Sequence, residues 1–74
     1  MLKLESLYDV QQLLKRFGII VYVGKRIWDI ELMQIELRKL YDGHLVNHDT
    51  YMTAWRILRR EHRIEENREN QQLS

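Results

Sequence analysis

Apolar residues return at helical spacing in three separate stretches of this chain, glycines stand between them, and not one proline interrupts any of the three. In the first stretch Leu7, Val10, Leu13, Leu14 and Phe17 share one narrow face, with Gln11, Gln12, Lys15 and Arg16 on the other. Ser6 is placed to cap it, and Gly18 supplies a left-handed stop. Ile19 to Val23 is a β-branched and aromatic run closed by Gly24, which suits a strand, yet the chain offers no second strand to pair with it. An extended connector laid over the bundle, or one irregular turn, is expected there. The second helix is expected from about Arg26 to Tyr41, with Ile27, Ile30, Met33, Leu37, Leu40 and Tyr41 on its main apolar face and Asp42-Gly43 ending it. Asn47 caps a third helix that begins near His48 and reaches the middle sixties. The fold expected is all-α: a three-helix bundle with an extended connector between helices 1 and 2, its neighbouring helices antiparallel because the loops are short.

A chain of 74 residues makes one domain and buries only about 60% of the surface its unfolded form exposes. With no cysteine to staple it, its stability must come from helix packing or from self-association. The bundle is expected over residues 1–64. From Glu65 onward the residues offer almost no apolar surface, so 65–74 reads as a frayed or disordered C-terminal tail. No stretch approaches the ~20 apolar residues of a membrane span, and the start lacks a signal-like apolar core. A soluble cytoplasmic protein with no membrane partner is expected.

The formal net charge is only +1, but it is unevenly spread: residues 1–60 hold ten Lys or Arg against seven Asp or Glu, and residues 61–74 hold two against four. At 100° per residue Arg56, Arg59, Arg60 and Arg63 project into an arc of roughly 100°, while Tyr51, Ala54, Leu58 and His62 point elsewhere. Such a stripe suits an anionic partner, and nucleic acid is the commonest large one. A solvated helix surface paired with Glu61, Glu65 and Glu66 is the competing reading. Arginine throughout favours bidentate phosphate contact, and Trp55 projects along the edge of the stripe, either to stack on a base or to pack inward. A second basic site, Lys25 and Arg26 after Gly24, lies where a helix begins, although the remaining elements of a nucleotide-binding loop are missing and a polar turn is the simpler reading.

The segment Tyr8-Asp9-Val10-Gln11-Gln12-Leu13-Leu14-Lys15-Arg16-Phe17-Gly18, followed by an apolar run, Gly24 and Arg26, then Leu32-Met33 and Glu36-Leu37-Arg38, resembles the YqgQ-like family of small bacterial cytosolic proteins over about residues 6 to 64. The resemblance implies a three-helix bundle for which single-stranded nucleic-acid binding has been suggested, and it brings no catalytic residues. Trp28 and Ile35 depart from that pattern by being large and apolar.

Trp28, Leu32 and Ile35 follow i, i+4, i+7 spacing roughly opposite the main apolar face of the second helix, as a partner contact or homodimer patch would. A wide core face is the alternative. His44, His48 and Asp49 match no zinc spacing, and no nucleophile motif or carboxylate pair stands out, so neither enzyme, metal nor cofactor is expected. The function expected is single-stranded nucleic-acid binding, RNA before DNA, with Arg56, Arg59, Arg60, Arg63, Lys25 and Arg26 on phosphates and Tyr22 or Trp55 stacking. A protein-interaction or oligomerisation module working through the Trp28, Leu32 and Ile35 ridge is the alternative.

Overall fold

The computed structural model describes the backbone of residues 3–73 and the side chains of residues 3–69. Each helix begins and ends for a local reason. Before α1 (Leu7–Arg16), Ser6 is extended and its Oγ accepts the Asp9 N–H at 3.4 Å, while Asp9 Oδ2 accepts the N–H of Ser6 at 3.1 Å and of Glu5 at 2.9 Å. This reciprocal box satisfies orphan donors at the first turn, and losing such a cap costs about 1 kcal/mol. At the other end Gly18, at φ +76°, lets its own N–H reach Lys15 O at 2.9 Å and the Ile19 N–H reach Leu14 O at 3.1 Å. That left-handed residue satisfies two carbonyls that α1 leaves open and turns the chain outward.

Residues 19–23 form the extended connector. Ile19 and Val21 are half-buried against the bundle, whereas Ile20 and Tyr22 are 77% and 84% exposed, the period-2 alternation of an extended chain. No strand occurs among the described residues. α2 (Arg26–Asp42) then ends with the same pair of bonds that closes α1, Leu45 N–H to Leu40 O at 2.9 Å and His44 N–H to Tyr41 O at 3.0 Å. Here the left-handed residue is His44, at φ 60°, and not Gly43. Gly43, at φ −84°, is in an ordinary conformation, and a Cβ there would meet Lys39 O at 3.4 Å, an ordinary contact. Asn47 caps α3 (His48–Leu73), its Oδ1 accepting the Thr50 N–H at 2.7 Å.

The core is one cluster. Val10 and Leu14 of α1, Ile30, Met33 and Leu37 of α2, and Ala54 and Leu58 of α3 are all but inaccessible to solvent, with Tyr51 and Ile57 closing its sides. Phe17, expected on the apolar face of α1, is instead the residue that caps its C-terminus, and it is 39% exposed. α2 and α3 run antiparallel, with Tyr41 stacked on Tyr51 at one end and Arg26 joined to Glu61 and Glu65 at the other. α1 lies against both, and Arg60 ties α3 to its entry by donating to Glu5 O at 3.3 Å.

α3 does not stop in the middle sixties. It continues as helix to Leu73, with Glu65 buried, Glu66, Asn67 and Arg68 exposed and Glu69 half-buried. The reason is electrostatic: Glu65, only 9% exposed, binds Arg26 at 2.9 Å and Arg68 at 3.3 Å, and Glu69 binds Lys25 at 2.9 Å. Ion pairs dock a segment that has little apolar surface of its own. No described helix is long and apolar enough to cross a membrane.

Candidate nucleic-acid interface

On α3 the buried residues Tyr51, Ala54, Leu58 and Glu65 point inward, which turns Arg56, Arg59, Arg60 and Arg63 outward, and all four are exposed. Arg60 leans toward α1, where it holds Glu5 O and lies 3.6 Å from Glu61 Oε2. Arg56, Arg59 and Arg63 form no ion pair among the described residues. From first to last they span eight residues, about 10 Å of helix.

Arg59 and Arg63 lean toward α2. With Gln34, His62 and Glu66 they line a groove of about 230 Å³ between the two helices. A second groove of about 510 Å³, lined by Glu31, Gln34, Ile35, Arg38, Lys39 and Trp55, has Gln34 in common with the first, and these two adjacent grooves are the trough of the α2–α3 hairpin. Trp55 is half-buried at its wall, packed against the core with its ring 5.6 Å from that of Tyr51. The inward-packing reading describes its position, and the same ring also lines the groove.

Three charges in the trough are already engaged. The Tyr51 hydroxyl, then Asp42 at 3.1 Å, push the Arg38 guanidinium still further toward its charged form. Lys39 lies 3.5 Å from Glu36. His62 stands between two carboxylates, Nε2 at 2.8 Å from Glu31 and Nδ1 at 2.7 Å from Glu66. Arg38, Gln34 and His62 were not singled out as site residues, because the spacing within one helix does not say which residues a neighbouring helix will bring beside them.

The other expected phosphate ligands lie elsewhere. Lys25 binds Glu69 at 2.9 Å with its ammonium 4.8 Å from the centre of the Trp28 ring, and Arg26 binds Glu61 at 3.3 Å and Glu65 at 2.9 Å. Those glutamates lie on the side of α3 roughly opposite the arginine stripe. Tyr22 lines a groove built from α1, the connector and Met33, to which α3 contributes nothing. The fold thus gathers Arg56, Arg59, Arg63 and Trp55, sets Arg60 at their edge, and leaves Lys25, Arg26 and Tyr22 apart. Trp28, Leu32 and Ile35 are 53%, 37% and 52% exposed, a ridge on α2 away from the core, and Ile35 also forms part of the trough. His48 Nδ1 is 3.1 Å from the Tyr41 hydroxyl, and the described residues contain no group of three or more metal-ligating side chains.

Among known proteins, a family model described as YqgQ-like matches residues 4–64. The protein of Bacillus subtilis (strain 168) named "Uncharacterized protein YqgQ" is 47% identical over 58 residues, which cover 78% of this chain and 82% of that protein.

Proposed function

We propose that this chain, which belongs to the YqgQ-like family, binds single-stranded nucleic acid along the outer face of α3. The observation that carries the reading is the set of three exposed arginines, Arg56, Arg59 and Arg63, that no carboxylate of the described residues pairs with, beside an aromatic edge. Guanidinium groups spread over about 10 Å of helix suit consecutive phosphates of one strand, and the Trp55 edge offers a face to an unstacked base. A single strand fits better than a duplex, because a stacking edge set in a trough reaches only bases free to turn out of their stack. Arg60 adds charge at the border. RNA is the preferred form in this reading, with Gln34 in the trough able to donate and accept at a base or a 2′-hydroxyl.

Fluorescence anisotropy of a labelled single-stranded oligonucleotide, measured against salt, tests the proposal. Three phosphate contacts predict that log affinity falls with log salt at a slope of about −2, at about −0.7 per phosphate. No binding at low salt, or binding that ignores salt, overturns it.

The exposed ridge supports a second reading, a protein-interaction or oligomerisation contact through Trp28, Leu32 and Ile35. Replacing Trp28 and Ile35 together with Glu leaves a folded chain in either case, because both side chains already face solvent. Loss of a dimer in sedimentation supports this second reading, and a wild-type monomer removes the homodimer from it.

A further inference from the structure

Residues 19–23 carry an unused edge. The Ile19 N–H is taken by Leu14 O and the Val23 N–H by Asp29 Oδ1 at 2.7 Å, but among the described residues no hydrogen bond reaches the backbone N–H of Ile20, Val21 or Tyr22. The stretch is uncharged, rich in β-branched and aromatic residues, and free of proline, the composition that pairs most readily with another strand. Proteins ordinarily blunt such an edge with a lysine, a proline or a covering element. Here Ile20 and Tyr22 stand in solvent, and Gly18 and Gly24 bracket the run with open space where a Cβ would be.

Beside this edge lies a groove of about 360 Å³ whose far wall is α1. Half-buried Ile19 and Val21 give it apolar surface over a floor of buried Leu14 and Met33, and Gln11, Gln12 and Lys15 supply the polar part of the lining. Lys15 is exposed and has no carboxylate partner among the described residues. We infer that this groove receives an extended peptide segment of a partner protein, which adds as a strand to Ile20–Tyr22 and ends in an acidic residue that meets Lys15. Main-chain pairing gives the affinity, alternate apolar side chains of the peptide settle beside Ile19 and Val21, and the carboxamides of Gln11 and Gln12 satisfy the peptide's outer backbone edge. This site is independent of the nucleic-acid reading, since α3 contributes no residue to it.

The test is an NMR titration of the full chain with an acetylated heptapeptide of alternating Thr and Val closed by Asp. Shifts confined to Gln11, Gln12 and residues 19–22, with slowed amide exchange at Ile20 and Tyr22, whose N–H groups share one edge, are expected. The same peptide N-methylated at alternate residues should not bind, and Lys15→Gln should weaken the parent peptide by about threefold, as a surface ion pair allows. No shift at millimolar peptide overturns the inference. Equal binding of the N-methylated peptide also overturns it, because side chains alone would then account for the contact.

Discussion

Lys25 and Arg26 at the start of α2 reach across to carboxylates of α3, whereas Arg56, Arg59 and Arg63, on the opposite side of that same helix, reach none. Both groups are basic, exposed and close to an aromatic ring. What separates them is the partner that the fold supplies. Arg26 bridges Glu61 and Glu65 and so fastens the beginning of α2 to the far part of α3, where apolar contact runs out. Arg56, Arg59 and Arg63 fasten nothing among the described residues, and a charge held for no structural purpose is free to meet a ligand.

The largest effect expected follows directly. Replacing Arg56, Arg59, Arg60 and Arg63 with Gln should leave the circular dichroism spectrum unchanged and weaken oligonucleotide binding on the order of a hundredfold at low salt, because phosphate contacts supply most of such affinity. Lys25→Gln with Arg26→Gln should leave that affinity within about twofold, the residue of a weaker long-range field. Equal losses from both sets would erase the distinction between them.

Stability should respond in the opposite sense. Arg26→Gln leaves the nearly buried Glu65 with Arg68 alone, and an under-paired buried carboxylate costs about 1 kcal/mol after allowance for the exposed guanidinium. For a domain of this size that lowers Tm by about 4–8 °C, readable by thermal melting. Arg63→Gln should move Tm by no more than about 2 °C, as surface changes away from any partner do. A large fall with Arg63→Gln would mean that the stripe carries structural weight.

A smaller effect separates a charge held by the fold from backbone held under strain. His44 sits left-handed at φ 60° where glycine is at ease. His44→Gly relieves that strain and loses some unfolded-state restriction, for a net gain of about 0.5 kcal/mol and a Tm rise of about 2–4 °C. No such gain is expected from changing a residue of the stripe.

Much of this fold is legible in the sequence, since Ser6, Gly18 and Asn47 set helix ends through bonds within a few residues of themselves and the core residues follow from period alone. The end of α3 is not. Glu65 looks like solvated charge until Arg26, thirty-nine positions earlier, is placed against it. The candidate site divides the same way: the outward arc of Arg56, Arg59, Arg60 and Arg63 depends on one helix and is readable, whereas the trough with Gln34, Arg38 and His62 depends on how α2 lies against α3. Local sequence specifies a face; which charges on that face remain unpaired is a tertiary property.

Asp9 tests on the acidic side whether a charge paired within the fold reports on stability alone. The N–H of Glu5 holds its carboxyl below the ordinary 3.8, desolvation opposes this, and the N–H and hydroxyl of Ser6 add to the lowering. A depressed carboxyl stabilises the folded chain at pH above the unfolded value of 3.8, and that contribution is lost as pH falls through the folded pKa beneath it. Wild-type Tm should therefore drop between pH 5 and pH 3 by more than that of Asp9→Asn, whose amide cannot titrate, the difference isolating Asp9 from the other carboxylates that also protonate there. Oligonucleotide affinity at neutral pH should be the same in both. Parallel Tm curves would show that the cap contributes no pH dependence, and a change in affinity would show that α1, which contributes nothing to the α2–α3 trough, nevertheless takes part in binding.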